Sequence, residues 1–164
     1  MIPIVASHTL FHTIHQLSRL LTKHANKALQ PFGLYSAQWS VIYVLKTKGA
    51  LTQKELGDYL SVEAPPLTRN IQRLVKLGFV QQSTGSDKRS KVIELTDLAS
   101  QEYSKWENAI KQTNQELLQH LPENDREQLH GIITSWIGPM SGSKGAEHEK
   151  SKTLVQGFYS DCCM

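Results

Sequence analysis

Between residues 51 and 95 the hydrophobic pattern changes period once, and that change limits the fold more than any other feature of the chain. Up to Gly78 the apolar residues recur at helical spacing. Beyond it they fall into two short runs rich in β-branched and apolar side chains, Phe79–Thr84 and Lys91–Leu95. The residues between them, Gly85-Ser86-Asp87-Lys88-Arg89, make this the signature of a β-hairpin with a basic tip. Ahead of the hairpin, Thr52-Gln53-Lys54-Glu55 reads as a capping box that opens a short helix to about Leu60. Ser61-Val62 turns out of that helix. Pro65 and Pro66 stand where the next helix begins, since first-turn amides have no intrahelical partner to lose. In this second helix Leu67, Ile71, Leu74 and Val75 share one face, and Gly78 ends it. Pro65, Arg69, Gln72, Arg73 and Lys76 occupy the opposite face, with Thr68 at its margin and no acid among them.

Helix, turn, helix with a basic outer face, then hairpin, is the order of a winged helix-turn-helix. A helix fits the major groove of a duplex, where its exposed side chains reach base edges. The preceding helix packs across it and offers its N-terminal amides to phosphate. An arginine at the hairpin tip is drawn to the negative potential of a narrow minor groove. A solvated helix face is the bland account of Arg69, Gln72 and Arg73, and turn chemistry is that of Asp87 and Arg89. The hairpin that follows the helix favours the DNA reading.

The flanks are helical. Leu10, Ile14, Leu17, Leu21 and Ala28 make roughly Ser7–Gln30 an amphipathic helix, ended by Pro31 and Gly33. A second helix is expected from Ser36, as N-cap, to Lys48. After the hairpin, Thr96 and Asp97 open a helix whose apolar period runs to Leu121, and Asp125–Ile137 is a further one carrying Leu129, Ile132, Ile133 and Trp136. The composition from Gly138 to Gly145 is that of a linker, and the remaining tail has too few apolar residues for a core of its own.

Charge follows the same division. The chain has 164 residues and a net charge of +3, but residues 1–49 hold five Lys/Arg and no acid, whereas residues 96–137 hold three basic and seven acidic side chains. A basic part followed by an acidic one suggests a polyanion partner for one end only. The longest apolar run, Val41–Leu45, is far short of a membrane span, and the N-terminus has no basic lead-in, so neither a membrane association nor a signal peptide is expected. The two cysteines, Cys162 and Cys163, are adjacent near the end of the chain and build no disulfide framework, which fits a reducing, cytoplasmic setting. They invite a redox switch, but a vicinal disulfide is strained. No Walker loop, nucleophile elbow, His-Glu-x-x-His or Gly-x-Gly-x-x-Gly is present; no enzymatic activity and no cofactor are expected. His8, His12 and His15 share a helix face, the spacing of a metal site, yet Arg19 and Lys23 lie on the same face and no Cys or carboxylate joins them. A solvated face accounts for all five.

At this level of detail the sequence resembles the MarR family of transcriptional regulators, over residues from about 10 to 137. Leu51-Thr52-Gln53-Lys54-Glu55-Leu56 is similar to the family's Leu-Thr-x-x-Glu-Leu helix start. Leu67-Thr68-Arg69, with Ile71, Leu74 and Lys76-Leu77-Gly78-Phe79-Val80, is similar to its recognition helix and the exit into the wing. Asp87-Lys88-Arg89 resembles its Asp-x-Arg wing motif, and Leu95-Thr96 the opening of its long dimer helix. The chain departs from the family at Ala99, where glycine is usual, at Pro66, where a small polar residue often sits, and in the extension 138–164.

The resemblance implies a fold that is mainly α with a small β-hairpin wing, a winged helix-turn-helix with flanking N- and C-terminal dimerisation helices. Its divisions would be 1–34, an N-terminal dimerisation helix; 35–95, the DNA-binding domain; 96–137, C-terminal dimerisation helices; and 138–164, a flexible tail. It also implies an obligate homodimer in which the first, fifth and sixth helices intertwine. The apolar stripes of those three helices agree, having nothing left to cover them in one chain. Two recognition helices about one DNA turn apart (~34 Å) would read a pseudo-palindromic operator with steep salt dependence.

Roles follow from position. Arg69 and Arg73 are candidates for base or phosphate contacts, with Thr68 and Gln72 as hydrogen-bonding readers and Lys76 on the same face. Pro65 and Pro66 sit at the groove-facing tip. Thr52 and Gln53 are expected on phosphate, Arg89 in the minor groove, Lys88 and Lys91 on the backbone, and Asp87 orienting Arg89. For a small-molecule effector, the cleft between dimerisation and DNA-binding parts offers His24, whose competing role is a hydrogen-bonded interface histidine, and Tyr35, Trp39 and Tyr43, for which aromatic core packing is the competing role. The family's peroxide sensors place a reactive cysteine near the N-terminus, and this chain has none there. The expected function is that of a DNA-binding regulator, a repressor released by an effector or signal. The alternative is a winged-helix module for protein–protein assembly without a DNA role.

Overall fold

The computed structural model describes residues 7–84 and 91–141. Two compact units result, Met1–Thr113 and Asn114–Met164, and each is taken by itself.

The first unit opens with α1, Ser7–Leu29, followed by one turn of 3-10 helix at Gln30–Phe32. Gly33 stops that turn with a backbone φ of +68°, a left-handed conformation that costs a glycine little. Next comes α2, Ser36–Lys48. Its N-cap is Tyr35 rather than the expected Ser36. The reason is a pair of borrowed acceptors. Buried Gln38 reaches back with Oε1 to accept from the Tyr35 amide at 3.0 Å, and Asn26 of α1 accepts from the Ser36 amide at 2.7 Å. Both free amides are satisfied by side chains from outside the cap position itself.

A two-residue strand β1, Leu51–Thr52, leads into α3, Gln53–Leu60, and then α4, Ala64–Lys76. The expected capping box forms: Glu55 Oε2 accepts from the Thr52 amide at 2.7 Å, and Thr52 Oγ1 accepts from the Glu55 amide at 3.3 Å. The bonds that Thr52 donates favour the charged carboxylate and hold the Glu55 pKa below its ordinary value. Ser61 makes the turn between α3 and α4 in the left-handed region, at φ +52°.

On α4, Leu67, Ile71 and Leu74 are buried, but Val75 is not, at 42% exposure. The expectation for Val75 is corrected by geometry: it lies about 100° round the helix from Leu74, beyond the arc the other three cover. Strands β2, Val80–Thr84, and β3, Lys91–Leu95, pair antiparallel from Val80 opposite Leu95 to Thr84 opposite Lys91. β1 adds to the far edge of β3, with Leu51 opposite Ile93, so the hairpin belongs to a three-stranded sheet in the order β1-β3-β2.

α5, Asp97–Leu118, is capped by Thr96, whose hydroxyl accepts from the Ala99 amide and donates to the Gly78 carbonyl at 2.6 Å. Its Ala99, Tyr103, Trp106 and Ile110 join one core with Leu29, Leu34, α2, α4 and the sheet. Trp106 meets Phe79 edge-on, with ring centroids 4.6 Å apart.

The second unit holds the end of α5 and α6, Glu123–Met140. Arg126 ties them by donating to the Leu118 and Leu121 carbonyls at 2.8 and 3.1 Å, the first of which also accepts from the Leu121 amide at 3.0 Å. Helix α6 continues past Ile137 through Gly138 and Pro139, because Ser141 finishes it: its amide donates to Ile137 and its hydroxyl to Gly138. Among the described residues no helix is long and apolar enough to cross a membrane.

Candidate nucleic-acid interface

Helix α4 is the centre of the candidate interface because its two faces differ so sharply. Leu67, Ile71 and Leu74 sink to 1% exposure or less, and this fixes which side chains must point away from the core. Pro65, Arg69, Gln72 and Lys76 are exposed. Arg69, Gln72 and Lys76 make no hydrogen bond or ion pair among the described residues, whereas on α5 Lys105 pairs with Glu102 and Lys111 with Glu107. The outward face of α4 therefore presents two cations and an amide with nothing among those residues to neutralise them.

The flanks of the same helix are engaged. On one side Thr68 Oγ1 accepts from Gln53 Nε2 at 2.7 Å and donates to the Ala64 carbonyl at 2.7 Å, which joins the starts of α3 and α4. On the other side Arg73 lies over the ring of Tyr35, its Cζ 5.0 Å from the centroid, and donates to the Gly33 carbonyl at 3.5 Å. Pro66 is half-buried. Of the residues expected on phosphate, Thr52 is paired within the capping box through both its amide and its hydroxyl, and Gln53 is committed to Thr68. The pairs Gln53–Thr68 and Arg73–Tyr35 are the features that sequence reasoning does not supply. Each joins residues of separate elements, with no periodic signal to announce it.

Lys91 is exposed at the start of β3, where the wing returns. Asp87, Lys88 and Arg89 lie outside the described residues.

The four residues expected at an effector site are not brought together. Trp39 is buried and stacked on Tyr103, centroids 5.4 Å apart, and it tilts against half-buried Tyr43 at 6.0 Å. His24 is exposed on α1. Of the four, Tyr35 alone lines a cavity of about 250 Å³ whose wall also includes Asn26, Lys27, Gln30 and Arg73. His8, His12 and His15 are exposed, and the described residues hold no group of three metal-ligating side chains.

Similarity to known proteins gives the chain its family. A sequence profile described as the MarR family matches residues 32–90. The uncharacterized HTH-type transcriptional regulator YwoH of Bacillus subtilis is 48% identical over 128 residues, which span 78% of this chain and 93% of that one. The chain belongs to the MarR family. It is a DNA-binding transcriptional regulator. Among solved structures, a mutant of E. coli MarR complexed with operator DNA is similar with a TM-score of 0.72 and 26% identity, over 77% of this chain and 91% of that one. A MarR-family regulator from Rhodococcus sp. RHA1 shares the fold at a TM-score of 0.75 and 16% identity, over 84% and 98%. Nothing in these comparisons favours the protein–protein assembly alternative.

Proposed function

We propose that this regulator is a repressor that binds a pseudo-palindromic operator as a homodimer in the cytoplasm and is released by an effector. The observation that carries the DNA contact is the outward face of α4, where Arg69, Gln72 and Lys76 stand exposed, without partners among the described residues, over a fully buried apolar face. Arg69 and Gln72 are the readers and Lys76 meets the backbone, with Pro65 and Pro66 at the tip of the helix. Arg89 enters the minor groove with Asp87 orienting it, and Lys88 and Lys91 meet the backbone. The DNA-binding part spans 35–95, flanked by dimerisation helices in 1–34 and 96–137, and 138–164 includes a tail beyond α6.

Dimerisation is supported by the apolar side chains each flank leaves uncovered. On α1, Leu10, Phe11, Ile14, Leu17, Leu20 and Leu21 are between 38% and 48% exposed. On α6, Leu129, Ile132, Ile133, Ile137 and Met140 are exposed as well. Continuous apolar faces of this kind mark association surfaces in soluble proteins. The complex of the E. coli MarR mutant with operator DNA supports the same use of the fold here. Release works by population shift: an effector that binds best when the two recognition helices are wrongly spaced for successive grooves lowers DNA affinity. The cavity beside Tyr35, with Asn26, Lys27 and Arg73 in its wall, is the candidate seat for the effector.

Anisotropy titration of a labelled duplex from the region upstream of the protein's own gene tests the reading. Binding is expected to survive excess nonspecific DNA and to weaken markedly in Arg89→Ala. Unchanged affinity in that variant would remove the wing from the interface.

A further inference from the structure

Two arginines on α4 are one turn apart, yet their surroundings differ in kind. Arg69 has no partner among the described residues, whereas Arg73 has two, both outside its own helix. Its guanidinium sits over the Tyr35 ring and points a donor at the Gly33 carbonyl, forty residues back in the chain. Gly33 and Tyr35 belong to the corner between α1 and α2, and that corner is itself held. Gly33 is fixed by its bond to Gln30, the Tyr35 amide by Gln38 and the Ser36 amide by Asn26. On the opposite flank of α4, Thr68 is bonded to Gln53. The recognition helix is thus gripped at both shoulders, by a neutral hydrogen bond near its start and by a cation on an aromatic face near its end.

We infer that Arg73 is a positioning residue: it anchors the C-terminal half of the recognition helix to the α1–α2 corner through Tyr35 and Gly33 and does not read DNA. The stack on Tyr35 and the bond to Gly33 hold the guanidinium against that corner, to one side of the face that Arg69, Gln72 and Lys76 share. The planar, delocalised arginine suits this role, stacking on an aromatic while still donating sideways. Anchoring matters because base readout depends on the angle at which α4 enters the groove. A helix free to rock must be re-ordered on every binding event. The inference rests on the DNA-binding reading above and gives Arg73, an expected DNA contact, a different role within it.

The test uses the full-length protein, with Arg73→Ala, Tyr35→Ala, Tyr35→Phe and the double alanine variant. Each is titrated at several salt concentrations against the best duplex that the wild type selects from a randomised pool. Arg73→Ala and Tyr35→Ala are each expected to weaken binding by about threefold to fivefold, the scale of an exposed cation–ring contact. The double variant is expected to be no weaker than either single one, and Tyr35→Phe to bind like the wild type. The slope of affinity against salt should be the same for all, because no phosphate contact is removed. A slope shallower by about one in Arg73→Ala, with losses that add to those of Tyr35→Ala, would overturn the inference and make Arg73 a backbone contact. Should the wild type select no duplex, the DNA-binding reading itself fails. Thermal unfolding of the same variants without DNA then decides the anchor alone: non-additive shifts in Tm support it, and additive shifts overturn it.

Discussion

Arg69 and Lys76 share the outward face of α4 but meet a duplex with different chemistry. A guanidinium can pair bidentately with a guanine edge, whereas an ammonium is a point charge best suited to phosphate. Arg69→Ala is expected to cost about 1–3 kcal/mol on the selected site and to relax preference at one position in each half-site. Lys76→Ala should weaken binding evenly across sequences and lower the salt slope by about one. Titrations against the selected site and its single-base variants, at several salt concentrations, separate the two. Glu55 gives a prediction about pH. Its folded pKa lies below the ordinary value of 4.5, so the stability it adds is complete above that value and is lost as pH falls through the lowered one. Glu55→Gln should therefore lower the Tm at neutral pH. Solvent screens this exposed carboxylate, so the cost belongs in the lower part of the ~0.5–2 kcal/mol range of helix caps. The gap to the wild type should close in acid, and a gap independent of pH would rule out the carboxylate as its source.

Among elements, α3 and α4 are legible in the sequence because their cues are local: a capping box, a proline pair and an apolar stripe all lie within a few residues of the structure they specify. The hairpin is legible for the same reason. Strand β1 is not, since Leu51 and Thr52 carry no period of their own and become a strand only by pairing with Ile93 and Val92. Composition misplaces the end of α6. Gly138 and Pro139 resemble a linker until Ser141 is seen to satisfy the last carbonyls. The Arg73–Tyr35 contact stays hidden because sequence periodicity assigns a side chain to a face but says nothing of what stands opposite that face. The closeness of α3 to α4 yields a further prediction. A Cβ on Gly57 would lie 3.2 Å from the Val62 carbonyl oxygen and 3.5 Å from Leu67 Cδ2. Gly57→Val is expected to destabilise the protein by about 1–3 kcal/mol, the usual range for overpacking. Denaturant unfolding checks this, and an unchanged midpoint would mean that the turn yields freely.

For the whole molecule, the apolar faces of α1 and α6 matter more than any single contact. A charge placed in the middle of the α1 stripe has no partner if that stripe is buried between two chains, so Leu17→Glu should shift the protein toward monomer in sedimentation equilibrium. Its affinity for a two-half-site duplex should fall toward that for a single half-site. A stable dimer in that variant would remove α1 from the interface.

The most direct test of a symmetric, DNA-reading dimer is to sequence the duplexes that the purified wild-type protein retains from a fully randomised pool. A dimer of this kind enriches a motif with twofold symmetry, its half-sites centred about one helical turn apart. A pool that stays random after successive rounds, or an enriched motif without symmetry, would contradict it.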